Sequence, residues 1–122
     1  MKEMNETYGE LAHAVVCRIL KETGAEMPVF EQQYACSEIV ETTVCERGFY
    51  MTFRVKEGCP VAVGNGTKTF GTVEAQLPEL SRGMGFILWV KDGLIHSLEG
   101  YTYEEKLPER AEGYRLSGGA TP

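Results

Sequence analysis

His96, Glu99, Tyr101 and Tyr103 fall within one short segment of this 122-residue chain, and Trp89 lies shortly before them. An imidazole and a carboxylate are the groups that general acid–base catalysis uses, provided both reach the same substrate atom. The segment alternates as a strand does, which puts Glu99, Tyr101 and Tyr103 on one face and His96 on the other. That separation argues against a His–Glu pair, and no catalytic residue is assigned. Binding suits the arrangement better. Trp89, Glu99, Tyr101 and Tyr103, with Tyr50 and Arg54 from an earlier strand, would line an apolar surface edged with charge and hydroxyls. The same residues also fit an ordinary outward face whose rings pack while their hydroxyls stay wet.

Other chemistries find less support. Ser81, Ser97 and Ser117 lack the glycine-flanked elbow of a serine hydrolase. Gly64-Asn65-Gly66-Thr67-Lys68-Thr69 resembles a phosphate loop only superficially, because the spacing is wrong and no helical pattern follows; a turn is expected. Cys17, Cys36, Cys45 and Cys59 contain no CxxC pair, and His13 and His96 stand far from any such pair, so no metal site and no cofactor is expected. Cys17, Cys36 and Cys45 lie in periodic or compact stretches, where a thiol behaves as a small hydrophobe. Cys59, between Gly58 and Pro60, is the expected exposed thiol, without a visible activator.

The elements that must position these residues are legible in the spacing of apolar side chains. Tyr8, Leu11, Ala12, Val15 and Ile19 recur at helical intervals, with Met4 one turn earlier and Glu10, His13, Arg18 and Lys21 opposite. Thr7 to Glu10 has capping-box spacing, with Lys2 or Asn5 as earlier starts, and Gly24 is the expected left-handed stop. Pro28 opens a short helical turn through Phe30 to Tyr34, with Glu31, Gln32 and Gln33 facing solvent. From Ser37 the period becomes two. Val40, Thr42 and Val44 alternate up to a turn at Glu46-Arg47-Gly48, and Phe49, Met51, Phe53 and Val55 alternate on the return, making a hairpin.

A third strand is expected over Phe70–Leu77 with Val73, Ala75 and Leu77 inward. Phe86 to Val90 is apolar on both faces, which predicts a central strand covered on each side. Asp92-Gly93 is a two-residue hairpin signal, and Leu94 to Tyr103 returns. The reading is α+β: an N-terminal amphipathic helix on one face of an antiparallel meander of about five strands, one domain over 1–116 and a disordered tail at 117–122.

The segments GFYMTF at 48–53 and GFILWVKDGLIHSLEGYTYEEKLPE at 85–109 resemble a group of small uncharacterised bacterial proteins. The shared pattern is a Gly-Phe-aromatic strand, then a strand-Asp-Gly-strand hairpin ending in Leu-Glu-Gly-aromatic-Thr-Tyr. The resemblance implies a bacterial, intracellular single domain. It carries over no activity and no site residue.

Charge narrows the partners. Eighteen acidic against twelve basic side chains leave a net charge of -6, which argues against nucleic acid and against anionic lipid. The start carries no basic region followed by an apolar one, and no apolar run is long enough for a membrane helix, so a cytoplasmic location is expected. Acidic balance without a convergent catalytic set points to a non-enzymatic protein-binding domain, of inhibitor or immunity type, with a basic partner. The alternatives are a small-molecule module or minor enzyme with a pocket on the open sheet face, and a homodimer formed through an edge strand or the aromatic face.

Overall fold

The apolar stripe of Tyr8, Leu11, Ala12, Val15 and Ile19 winds into α1 (Glu6–Ile19), and all five side chains are buried. Asn5 is the cap: its Oδ1 accepts from the Thr7 amide at 2.9 Å and from the Thr7 hydroxyl at 2.7 Å. Thr7 therefore sits inside the first turn, and its Oγ1 accepts from the Ala111 amide at 2.7 Å. The helix ends with Leu20 as a right-handed cap, so Gly24 does not serve as the left-handed stop. Pro28 stands in the first turn of α2 (Met27–Ala35), where its missing N–H costs nothing. The computed structural model describes residues 4–22, 24, 26–71 and 73–118. No helix among them is long and apolar enough to cross a membrane.

Both helices lie on one face of an antiparallel sheet, as α+β architecture requires. The sheet has seven strands: β1 (Ser37–Cys45), β2 (Gly48–Val55), β3 (Thr67–Phe70), β4 (Val73–Gln76), β5 (Met84–Lys91), β6 (Leu94–Thr102) and β7 (Arg115–Gly118). Their order is β1-β2-β6-β5-β4-β7, with β3 pairing the far end of β5. It is not the meander of about five expected, because β6 inserts between β5 and β2. The expected third strand is two strands. Phe70 faces Leu88 but Glu74 faces Gly85, one residue out of step, and this slip turns Phe70, Val73 and Ala75 to the same core face. β7 carries Ser117 and Gly118 into the sheet against β4; the rest of the expected tail, 119–122, lies outside the described residues.

The Asp92-Gly93 turn forms as expected, with φ of 48° and 80° at its two central residues. Close approach explains the other glycines of the Gly-Phe and Leu-Glu-Gly pattern, at Gly48 to the Gly100 carbonyl and at Gly100 and Gly85 to aromatic rings. Gly100 lies under the rings of Phe49 and Phe86, where any Cβ would press on both, and Phe49 stands edge-on to Tyr8 at 5.7 Å. On the other face of the sheet Gly85 lies under the ring of Tyr101. Ile87 and Trp89, the outer side chains of β5, are only half-buried, and no helix or strand among the described residues covers them. The expected second cover is missing, so a binding-sized face remains open.

The two layers are joined by a side chain that composition assigns to solvent. Gln33 is fully buried on α2. Its Nε2 donates to the carbonyls of Pro60 (3.0 Å) and Gly93 (2.8 Å), and its Oε1 accepts from the Ile95 amide at 2.9 Å. One amide thus ties a helix, the loop after β2 and the β5–β6 turn together, with every polar atom satisfied. Gly93 is obligatory there, since a Cβ would strike the Ala62 carbonyl oxygen.

Replacing Gln33 by Leu leaves the Ile95 amide and the Pro60 carbonyl without their partner, at a cost of about 3 kcal/mol. Urea unfolding should show that loss, while Gln32→Leu on the exposed side of α2 should stay within about 0.5 kcal/mol. A second outcome concerns alkaline pH. Tyr8 donates to the Pro108 carbonyl at 2.6 Å, and burial, helped by the nearby Glu79 charge, pushes its phenol up to about 12. The folded chain then holds this proton more tightly than the unfolded one. Its contribution is complete below pH 10.0, the ordinary value, and is lost as pH climbs to about 12. Tyr8→Phe should lose stability less steeply over that interval than the parent chain does.

Candidate functional site

The open face is built by the strand alternation of β2, β5 and β6. Register pairs Tyr50 with Glu99, Thr52 with Ser97, Ile87 with Glu99 and Trp89 with Ser97, so these side chains share the face turned away from the helices. Trp89 Nε1 donates to Glu99 Oε1 at 3.2 Å. The Tyr50 hydroxyl faces Glu99 across the β2–β6 pair, and that hydrogen-bonding contact, before burial, raises the phenol above the ordinary tyrosine value. A half-buried carboxylate therefore lies between an indole and the phenol of Tyr50, a residue that is 43% exposed.

Tyr101 and Tyr103 extend the aromatic surface along β6 and just beyond it, ring edge to ring face at 5.6 Å. The Tyr103 hydroxyl donates to Glu74 Oε2 at 2.9 Å, and burial together with that bond pushes its phenol well upward. Arg54 stands apart, four residues along β2 from Tyr50, in an ion pair with Glu38 on the edge strand β1 that holds the Glu38 carboxyl below its usual range. Of the six residues singled out from sequence, Trp89, Glu99 and Tyr50 form one contact group, Tyr101 and Tyr103 a second, and Arg54 belongs to neither.

His96 does not lie where alternation places it. The β5–β6 register shifts by one between Trp89 and Val90, leaving His96 as an extra residue in β6. The bulge brings it beside Trp89, and with Tyr50, Thr52, Ser97 and Glu41 it lines a depression of about 470 Å³. Its Nδ1 lies 3.0 Å from Ser97 Oγ. The face can thus offer an imidazole, a carboxylate and aromatic rings to one ligand. Among the described residues no three His, Cys, Asp or Glu side chains gather as a metal site would. The glycine-rich 64–66 stretch is a turn, and Gly66 donates to Asp92 Oδ1 at 2.7 Å before β3 begins.

The four cysteines are free thiols, and none is fully buried, contrary to the small-hydrophobe reading of Cys17, Cys36 and Cys45. A hydrogen-bonding contact with the Cys36 thiol, followed by burial, pushes the Cys59 thiol up. Cys17 lies 3.6 Å from His13 Nε2. His13 is thus not remote from the cysteines, contrary to the expectation from sequence: the two are four residues apart on α1, one helical turn, and that spacing was the signal available.

Comparison of the chain with protein-family models, curated proteins and solved structures finds no match.

The Glu99 contacts have a spectroscopic consequence. Glu99→Ala should bring the Tyr50 phenol back toward the ordinary tyrosine value in an ultraviolet alkaline titration. It should also shift the emission of Trp89, the only tryptophan, to longer wavelength.

Proposed function

We propose that this chain is a protein-binding domain, of inhibitor or immunity type, that receives a basic side chain of its partner at Glu99. The observation behind this reading is the carboxylate itself, half-buried between Trp89 and Tyr50 on a sheet face that no described element covers. A guanidinium or ammonium group gains from a carboxylate and from the faces of aromatic rings alike, and both are present here within one contact group. Tyr and Trp also bring large contact area at small entropic cost.

The net charge of -6 would draw a basic partner in from solution. A homodimer through β1 is disfavoured by the edge itself: the β1–β2 register breaks between Ile39 and Glu41, and Glu38 and Glu41 lie on that strand. The resemblance of segments 48–53 and 85–109 to small bacterial proteins belongs to the same reading and supplies no partner.

The test is a titration of isotope-labelled protein with a short arginine-rich peptide, followed through the Trp89 indole N–H. Saturable shifts of that signal and of amides in β2, β5 and β6 are expected, with affinity falling about tenfold or more in Glu99→Gln. Shifts confined to other regions, or equal affinity in the two proteins, would contradict the proposal.

A further inference from the structure

On the helical side of the sheet, remote from Glu99, a cavity of about 480 Å³ opens between α1, α2 and the start of β1. Its walls are largely apolar, with Leu20, Ile39 and Phe53, and the Lys21–Glu31 ion pair at 3.4 Å completes the lining. Ile39 is 53% exposed there, an apolar side chain left facing solvent at the edge of the core.

Cys17 and His13 line the same cavity. Both ring nitrogens of His13 are engaged, Nε2 with Cys17 Sγ at 3.6 Å and Nδ1 with the Tyr34 hydroxyl at 2.8 Å, and the His13 and Tyr34 rings stack at 5.7 Å. In the tautomer with its proton on Nδ1, the imidazole donates to the phenol and leaves Nε2 free to accept the thiol proton. The Tyr34 phenol, pushed up to about 12 by burial and by the nearby Cys17, stays neutral and able to accept. A thiol in reach of an imidazole whose second nitrogen is fixed is the arrangement that makes cysteine a nucleophile. The other thiols lack it: Cys36 and Cys59 are free thiols that face each other rather than an imidazole, and Cys45 is exposed at the end of β1.

We propose that Cys17 is a nucleophilic thiol that accepts an apolar acyl group from an acyl thioester, with His13 carrying the proton and the cavity receiving the chain. The Cys17 proton passes to His13 Nε2 as Sγ attacks the carbonyl carbon. The new Sγ–C bond forms, the bond from that carbon to the leaving sulfur breaks, and the departing thiolate takes the proton from Nε2. No oxidant or reductant takes part. The apolar part of the wall, Leu20, Ile39 and Phe53, favours an acyl chain, and the two charges of the lining, Lys21 and Glu31, already neutralise each other.

The probe is S-hexanoyl-N-acetylcysteamine, with acylated cysteines located by peptide mass spectrometry over time. Acylation of Cys17 at least tenfold faster than of Cys45 in the same molecule is expected. His13→Asn should slow the Cys17 reaction about a hundredfold while leaving Cys45 unchanged, and Cys17→Ser should abolish the fast phase. Cys45 reacting as fast as Cys17, or a His13→Asn chain reacting at the parent rate, would overturn the proposal. The comparison of the two thiols within the unmodified protein stands even if a variant fails to fold.

Discussion

One buried amide sets the geometry on which both faces of the sheet depend. Gln33 reaches from α2 to the Pro60 carbonyl in the loop after β2 and to the Gly93 carbonyl and Ile95 amide at the β5–β6 turn. A buried polar side chain stabilises a fold only when all its bonding capacity is used, and it then tolerates few alternative arrangements. Here it holds the β5–β6 turn at a fixed height against the helix. The bulge at His96 falls immediately after that turn, between the Ile95–Val90 pair, whose Ile95 amide also bonds Gln33, and the Ser97–Trp89 pair.

The open face inherits its character from this arrangement. With α1 and α2 both on one side, the aromatic residues of β2, β5 and β6 are left to cover themselves. They do so by lying over glycine, as Tyr101 does over Gly85, and by bonding to carboxylates, as Trp89 and Tyr50 do to Glu99 and Tyr103 to Glu74. Such a surface holds its polar groups by hydrogen bonds while leaving them accessible, as the proposed recognition of a partner's side chain requires. The helical side repeats the theme on a smaller scale, where one turn of α1 aligns His13 with Cys17 above an apolar hollow.

Much of the scaffold is legible in the sequence because it rests on local periodicity. The stripe of α1, the β1–β2 hairpin, the inward Phe49, Met51 and Phe53, and the Asp92-Gly93 turn all follow from side-chain spacing and turn chemistry. What escapes is non-local or a matter of one residue. The placement of β6 between β5 and β2 depends on pairings that no local pattern encodes, and β7 is a four-residue strand in a charged stretch. Single-residue slips after Phe70 and at His96 reverse which face a side chain occupies, so strict alternation puts His96 on the wrong side. Gln33 sits in a Glu-Gln-Gln run that resembles a solvated face, and only the carbonyls waiting above α2 distinguish it from Gln32. Of the site itself, Trp89 and Glu99 were readable as neighbours across one hairpin, whereas Tyr50 beside Glu99 needed the β2–β6 pairing and Arg54 with Glu38 the register of an edge strand.

Hydrogen exchange at the Ile95 amide is the most direct measure of whether the Gln33 bond governs this architecture. That proton should exchange only through global unfolding, with the protection of the central strands, since its acceptor is buried and fully engaged. Exchange as fast as that of the exposed loop amides would mean that the turn opens independently of the helix. The fixed face described here would then not exist in solution.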